Sequence, residues 1–284
     1  MTELPNGVPP GAKRAYTGKS KTVYTAEDDC DKVFMVFTDG FTGADGVENP
    51  GANQNIGTKE GLGHKNLSMT SYLYDKISEE LGILSQIVEV DLENNLMIAK
   101  KARPFGKGLE FIARNKAWGS FLQRNSGYKQ GDSTLDKKGW PFVEVSEKDD
   151  EKGDPFFSKQ QHIDRGSITP KDWDACVWHT KIITDYLTSV FAEKGLDLID
   201  IKIEFGKDRQ GNIMLIDEIS PGSLRALRDG KSASKDEIYE AIMGKPKSKS
   251  EAIMDNAAGK NGCGAVAPQK KPGQTGRCSG NDGK

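Results

Sequence analysis

The feature that most constrains the fold is an alternating segment within residues 198–225. Apolar residues occupy its odd positions from Ile199 to Phe205, and polar residues occupy the even positions between them. A period of two predicts a half-buried strand, because successive side chains of a strand point to opposite faces. The turn-forming run KDRQGN and a second apolar run at residues 213–216 follow, so we predict a β-hairpin.

Acidic residues gather on the polar face of this predicted hairpin. Asp200, Lys202 and Glu204 share one face, and Asp217 joins them if even positions of the first strand lie opposite odd positions of the second. Carboxylates this close would raise one another's pKa unless a cation lies among them. Carboxylates from two neighbouring strands suit a Mg²⁺ ion that keeps waters and bridges phosphates. A solvated face of alternating charge is the alternative, and the hairpin alone favours neither.

Composition excludes several classes of protein. A net charge of −2 over 284 residues offers no basic surface for nucleic acid or for an anionic membrane. The mean hydropathy of −0.62 and the lack of a long apolar run argue against a membrane span, and the first residues do not resemble a secretion signal. Four scattered cysteines without a CxxC pair predict reduced thiols, and three histidines argue against a histidine-rich metal site. We therefore expect a cytoplasmic α+β protein.

The first half of the chain predicts a flexible lead-in and a small lobe. Residues 1–12 are rich in proline and glycine, and we assign residues 13–102 to an N-terminal α+β lobe. Strands are expected at residues 33–38, 87–90 and 96–100, and a helix is expected at residues 64–81. The segment 38–55, rich in glycine and asparagine, is expected to be a loop.

The second half predicts a larger lobe and a polar tail. Residues 103–243 form the expected C-terminal lobe. The Pro/Gly-rich connector at residues 102–108 is a candidate hinge. Its longest helix should begin after Thr169, with Pro170 at the first helical position. Residues 126–154 look irregular, and residues 244–284 contain too little apolar surface to offset the entropy cost of ordering.

Two basic segments suggest phosphate binding. GKSKTVY at residues 18–24 places two lysines beside a glycine, as in loops that cover nucleotide phosphates. RNKAWGSFLQRN at residues 114–125 combines arginines with a serine and a glycine. Each pattern is weak alone, because exposed strands and solvated basic turns show similar residues.

Five short motifs follow one another along the chain: GKSKTVY at 18–24, TGADG at 42–46, RNKAWGS at 114–120, DIKIEFG at 200–206 and DEISP at 217–221. Taken together, they resemble the motifs of the SAICAR synthetase (phosphoribosylaminoimidazole-succinocarboxamide synthase) family. They occur in the family's order between residues 13 and 230, and the long helix lies between the third and the fourth. Five motifs in order are specific where one would be weak.

The resemblance implies a two-lobed α+β fold, related to kinase and ATP-grasp folds, with ATP between the lobes. It implies an ATP-dependent ligase of purine biosynthesis that joins 5-amino-4-carboxyimidazole ribotide to L-aspartate through an acyl phosphate, with Mg²⁺. Lys19, Lys21, Lys148, Asp200 and Lys202 are then the expected catalytic residues. By match to the family, Lys19, Lys21, Lys101, Glu110, Glu204 and Asp217 would bind ATP, with Glu204 and Asp217 on Mg²⁺, and Asp45, Arg114, Ser120, Asp200, Lys202 and Arg225 would bind the substrates.

Two positions depart from the family pattern. Gly222 stands where the family has an aspartate of the substrate pocket, and Leu227 stands where it has a tryptophan. A related ligase that uses another amine therefore stays open. So do a kinase-like small-molecule phosphotransferase and a nucleotide-binding protein without catalysis. The expected partners are small molecules and, as the family suggests, further copies of this chain, with neither nucleic acid nor membrane.

Overall fold

A computed structural model describes residues 3–27, 29–44, 47–48 and 54–244 of the chain, with side chains not described at 42–44, 47–48, 54–56 and 150. Asp45 and the predicted polar tail beyond residue 244 lie outside these ranges. The strands are β1 Lys13–Thr17, β2 Lys21–Thr25, β3 Lys32–Phe37, β4 Gly40–Ala44, β5 Val47–Glu48, β6 Gln54–Thr58, β7 Ile87–Asp91, β8 Leu96–Lys100, β9 Arg103–Pro104, β10 Leu109–Arg114, β11 Phe142–Glu147, β12 Asp197–Lys207, β13 Ile213–Ile216, β14 Leu224–Arg228 and β15 Lys231–Ser232. The helices are α1 Leu62–Leu81, α2 Ser120–Arg124, α3 Lys159–Asp164, α4 Pro170–Glu193 and α5 Lys235–Met243, and a 3₁₀ turn spans Asp150–Lys152.

The N-terminal half forms an antiparallel sheet with strand order β1-β2-β3-β8-β7. Helix α1 packs against it through Leu67, which contacts a small apolar cluster that includes Phe37 and Met97. Its Leu73 belongs instead to the large core, which also includes the buried residues of the second sheet. Helix α1 is therefore packed on both sides, which explains its apolar periodicity. It begins two residues before the predicted start and ends at Gly82, which adopts the left-handed conformation that favours glycine.

The second sheet is built around β12, the eleven-residue strand predicted from the alternating segment. Its strand order is β11-β10-β12-β14-β15, and β13 and β9 also pair with β12. The odd positions from Ile201 to Phe205 lie in the large core with buried residues of α4, and Phe205 meets Phe111 of β10 edge-on with 5.5 Å between ring centroids. The predicted long helix is confirmed as α4, with Thr169 as its N-cap.

Two segments expected to be irregular contain strands. Residues 38–55 include β4, β5 and the start of β6, which form a small antiparallel sheet. Residues 126–154 include β11, which pairs with every residue of β10 from Leu109 to Arg114. Both predictions were wrong because pairing between strands satisfies the backbone and overrides weak local preference: β4 pairs with its chain neighbours β5 and β6, and β11 pairs with the more distant β10. The connector after residue 102 likewise contains β9, which pairs with Gly206 and Lys207.

None of the helices within the described ranges combines the length and the apolar character that crossing a bilayer requires. The two cysteines in these ranges are free thiols, Cys30 exposed and Cys176 buried.

A buried histidine makes folding stability depend on pH. His162 has no exposed surface and lies between Phe157 and Trp173, and burial lowers its pKa below 6.5. The unfolded chain therefore binds a proton at a higher pH than the folded chain, so the free energy of unfolding should fall as pH drops below 6.5. Burial also lowers the pKa of His179, which acts in the same direction.

Urea unfolding measured between pH 5 and 8 checks this expectation. His162→Leu should flatten the decline below pH 6.5 in part, because His179 remains. An unchanged slope in this variant would contradict the assignment to His162.

Candidate functional site

Charged side chains from both sheets meet in one buried group, which we call the lysine–carboxylate cluster. Its residues come from the start of β2, from β10, from the end of β11 and from the hairpin β12–β13. Opposite charges alternate through it, which lets so many ionised groups share one buried region. The cluster consists of Lys21, Glu110, Lys148, Lys202, Glu204, Asp217 and Glu218.

Asp217 reaches the cluster by a route that the alternation rule did not predict. Glu204 lies opposite Ile216 in the hairpin, so even positions face even positions, and the register that would place Asp217 on this face does not occur. In a regular strand Asp217 would then point to the other face. Instead β13 ends at Ile216 and Asp217 adopts a left-handed backbone with φ 66°, and its carboxylate lies 2.5 Å from the Lys21 ammonium.

Lys21 links the first sheet to this carboxylate group. It is the first residue of β2, directly after the turn Gly18–Ser20, where the Gly18 amide donates to the Lys21 carbonyl at 2.8 Å. The Lys21 ammonium also donates to Glu218 at 2.9 Å, and Ser20 donates to the same carboxylate at 3.0 Å. Lys21 is only 7% exposed, so its charge depends on these carboxylates.

Lys202 and Lys148 hold the remaining carboxylates. The Lys202 ammonium lies 2.7 Å from Glu110 and 3.3 Å from Glu204, and Lys148 lies 2.8 Å from Glu204. Ser146 donates to the other oxygen of Glu110 at 2.9 Å. Glu204 is 4% exposed, whereas the Lys148 side chain is 42% exposed and reaches the cluster from its solvent side.

The two carboxylates predicted to bind metal have opposite electrostatic environments. Burial raises the pKa of Glu204 to about 7, and the negative charge of Asp217 adds to that rise. Burial would also raise the pKa of Asp217, but Lys21, Lys148 and Lys202 hold it well below its usual value. The pKa of Lys202 lies well above its usual value. Burial lowers this pKa, but the negative charges of Glu204 and Glu110 raise it by more. The cluster therefore keeps Asp217 ionised, whereas Glu204 titrates near neutral pH.

A second group of charges surrounds Arg114, which is 2% exposed. Its guanidinium donates to Asp200 at 2.6 Å and to Glu144 at 2.7 Å. Arg225 donates to the same Asp200 carboxylate through Nε at 2.9 Å and through Nη2. Arg124 donates to Glu144 at 2.7 Å. Asp200 and Glu144 therefore fix the orientation of three arginines.

Sequence reasoning missed Glu218 and Glu144. Glu218 follows Asp217 directly, and a regular strand would place the two on opposite faces. Glu144 lies in β11, a segment expected to be irregular, although the alternation of Val143 and Val145 with polar residues was a usable signal.

The other predicted site residues are placed as follows. Lys19 is half-buried in the turn before β2. Ser120 is exposed and opens α2, directly after Gly119, against which the Arg225 guanidinium packs. Lys101 is exposed, and its backbone amide donates to the Asp31 carbonyl at 2.7 Å, so none of the described contacts brings it to the cluster. Asp45 lies outside the described residues.

This arrangement is suited to phosphate chemistry. Lysines within one region can offset the charge of phosphate oxygens, and paired carboxylates can hold a divalent cation. Arginines held by carboxylates offer bidentate donors for a further phosphate. The two charged groups are therefore suited to binding phosphorylated small molecules.

Comparison with known proteins specifies the family. Residues 14–249 match the SAICAR synthetase family. The phosphoribosylaminoimidazole-succinocarboxamide synthase of Clostridium tetani is 38% identical over 217 residues, which cover 76% of this chain and 92% of that protein. The enzyme of the same name from Methanocaldococcus jannaschii is 33% identical over 210 residues, covering 74% of this chain and 79% of that protein. The chain belongs to the SAICAR synthetase family, as its five motifs predict.

Solved structures of SAICAR synthetases have the same fold as this chain. A type-2 SAICAR synthetase in complex with ADP superposes with a TM-score of 0.71 at 29% identity, covering 82% of this chain and 99% of that chain. The SAICAR synthetase of Pyrococcus horikoshii superposes with a TM-score of 0.68 at 28% identity, covering 81% of this chain and all of that one. The predicted α+β fold of this family is confirmed.

Proposed function

We propose that this protein is an ATP-dependent ligase that joins 5-amino-4-carboxyimidazole ribotide to L-aspartate. The products are the succinocarboxamide, ADP and phosphate. The observation that carries the proposal is the lysine–carboxylate cluster in a chain of the SAICAR synthetase family. One solved relative was determined with ADP bound, and the relatives are named for this synthase activity.

The donor set fits Mg²⁺. Within the described ranges, no group of three or more His, Cys, Asp or Glu side chains is arranged to hold a metal ion. Mg²⁺ does not need such a group, because it commonly takes one or two carboxylates and completes its shell with waters and substrate phosphates. Glu204 and Asp217 would hold it. When bound, Mg²⁺ would neutralise phosphate charge beside these two carboxylates.

The lysines of the cluster would act on the phosphoryl group that is transferred. The ribotide carboxylate attacks the γ-phosphorus of ATP, and ADP departs as the acyl phosphate forms. Lys21 and Lys148 can donate to phosphate oxygens, Lys148 from its partly exposed position. Lys19, in the turn before Lys21, would cover the phosphates. The amine of aspartate then attacks the acyl carbon, phosphate leaves, and the amine loses a proton.

The arginine group would bind the 5′-phosphate of the ribotide. Arg114 and Arg225 converge on Asp200, so their guanidinium planes are oriented before substrate arrives. Ser120 would add a hydroxyl donor beside Arg225, and Asp200 would act by orienting the two arginines. Lys202, between Glu110 and Glu204, would approach the substrate carboxylate, with Asp45 nearby. Lys101 and Glu110 flank the connector expected to hold adenine and ribose.

The proposal also covers organisation and location. The two sheets would be the walls of an ATP cleft between residues 13–102 and 103–243. The protein would act in the cytoplasm as a homo-oligomer, without nucleic-acid or membrane partners.

ADP release tests the function directly. Purified protein receives Mg-ATP and the carboxyaminoimidazole ribotide, with or without L-aspartate, and ADP and the product are quantified. We expect ADP formation that requires all three substrates and yields the succinocarboxamide in equal amount. Release that requires a different amine would retain the ligase chemistry and replace aspartate. This outcome matters because Gly222 stands where the family has an aspartate, and a side chain there would meet only ordinary contacts, to Ser220 and Lys235, so packing does not require the glycine.

Release that requires the ribotide but ignores every amine would contradict the ligase and favour a phosphotransferase. ATP binding without any ADP release would favour the non-catalytic alternative.

Gly119 provides a test of the phosphate site. Its φ of 56° and the packing of Arg225 against it leave no room for a Cβ atom. Gly119→Ala should displace Arg225 and raise the KM for the ribotide by about tenfold or more, the equivalent of one charge-assisted hydrogen bond. The KM for ATP should stay unchanged. Gly127→Ala, at an open position, is the matched control, and equal kinetics in the two variants would contradict the assignment of Arg225.

A further inference from the structure

Asp217 stands out among the described non-glycine residues with positive φ. The others, Asn95, Asp154 and Asp229, lie in turns, whereas Asp217 carries a carboxylate of the buried cluster. Aspartate enters the left-handed region more readily than most residues with a Cβ atom, but at a buried site the surrounding contacts decide whether it stays there.

The chain supplies those contacts from outside the hairpin. Tyr74 of α1 donates its hydroxyl to the Ile216 carbonyl at 2.7 Å. Gln86 donates its side-chain amide to the Asp217 carbonyl at 3.2 Å. The carbonyl groups on both sides of the Asp217 Cα atom are thus held by side chains from another part of the fold. Both side chains are buried, Tyr74 at 1% exposure and Gln86 at 1%.

Gln86 is itself fixed by backbone bonds to both sheets. Its amide donates to the Leu215 carbonyl at 2.9 Å, and its carbonyl accepts from the Lys100 amide at 2.7 Å. Its side chain lies near the sulfur atoms of Met35 and Met97, which are weak acceptors. In such apolar surroundings a buried amide is costly unless its donors are used, and the Asp217 carbonyl is the strong acceptor it reaches.

We propose that Tyr74 and Gln86 are positioning residues that hold Asp217 in its left-handed conformation and thereby aim its carboxylate at Lys21. Neither side chain touches the reacting groups in this role; both act through the backbone of Asp217. The consequence for Mg-ATP rests on the proposed function, whereas the positioning itself can be measured without any ligand.

Two variants remove the hydrogen-bond donors to the Ile216 and Asp217 carbonyls. Tyr74→Phe deletes the hydroxyl and keeps the ring, and Gln86→Met replaces the amide with a side chain that suits its methionine neighbours. Tyr239→Phe is the matched control, because the Tyr239 hydroxyl bonds to Ser68 at 3.1 Å and not to the Asp217 segment.

Hydrogen exchange of the ligand-free protein is the first measurement. We expect amide exchange at residues 214–219 to speed up by about tenfold in Tyr74→Phe and in Gln86→Met, the equivalent of one hydrogen bond, and to stay unchanged in Tyr239→Phe. Unchanged exchange in both test variants would overturn the proposal.

The Mg²⁺ dependence of ADP release is the second measurement. At saturating ATP, the Mg²⁺ concentration for half-maximal rate should rise by about 10–100-fold in the test variants, as for other partners that orient metal ligands. A general loss of stability would lower the melting temperature without moving this midpoint, and that result would overturn the link to the metal. Absence of ADP release from the wild-type protein would overturn the proposed function alone, because exchange in the ligand-free protein still decides the positioning.

Discussion

Glu204→Gln should lower kcat/KM for ADP release by more than about 100-fold while the fold is retained. Loss of a residue that merely orients a metal ligand costs about 10–100-fold, and Glu204 is a proposed ligand itself. The fold should survive because burial raises the pKa of Glu204 to about 7, so the folded protein already populates the neutral carboxyl at pH 7. The amide oxygen of glutamine can still accept from Lys148 and Lys202, which donate to Glu204.

Steady-state kinetics and circular dichroism together measure this result. Glu89→Gln, an exposed position on β7, is the matched control and should keep full activity. A fully active Glu204→Gln enzyme would refute the assignment of Glu204 to the metal.

Lys21→Met should lower both stability and activity. The Lys21 ammonium is the cation between Asp217, at 2.5 Å, and Glu218, at 2.9 Å. Removing one partner of a buried ion pair leaves uncompensated charge, at a cost of about 3–5 kcal/mol in the free energy of unfolding. Methionine preserves most of the apolar stem, so the loss reports mainly the charge. Activity should fall as well, because Lys21 is a proposed donor to the transferred phosphate.

Urea unfolding with and without Mg²⁺ measures the effect. Because a divalent cation can replace the missing positive charge beside Asp217 and Glu218, Mg²⁺ should restore more stability to the variant than it adds to the wild type. Lys13→Met, which removes an exposed lysine paired with Glu27, should leave the unfolding midpoint unchanged. A Lys21→Met protein as stable as the wild type would show that the cluster does not need this cation.

Much of this protein can be predicted from local patterns. The alternation of residues 199–205 predicted β12, and helical periodicity with capping residues predicted α1 and α4. Strand alternation and helical periodicity are patterns among residues close in sequence, and each pattern reflects a strand or helix with one exposed and one buried face. Motif order predicted the family, which the comparisons confirm.

The small sheet β4–β6 escaped prediction because its glycine- and asparagine-rich composition resembles that of a loop, and β11 escaped because its stability comes from distant pairing with β10. Strand β11 is fixed by β10, about 30 residues earlier in the chain, and composition alone made the segment around it look irregular. The same error hid Glu144, which orients Arg114 and Arg124.

The candidate site shows most clearly what the sequence determines and what only the tertiary structure determines. The residue types on β12 and in the DEISP segment are local facts, and together with the family resemblance they nominated Glu204 and Asp217 for one metal. Tertiary structure decided how Asp217 arrives, because the observed register places it on the wrong face and a left-handed backbone turns it back. Tyr74 of α1 and Gln86 donate hydrogen bonds to that backbone, and Lys21 from the other sheet forms an ion pair with the Asp217 carboxylate. Sequence determines which groups are available, and only packing between distant segments determines where they point, since long-range contacts fix both register and backbone conformation.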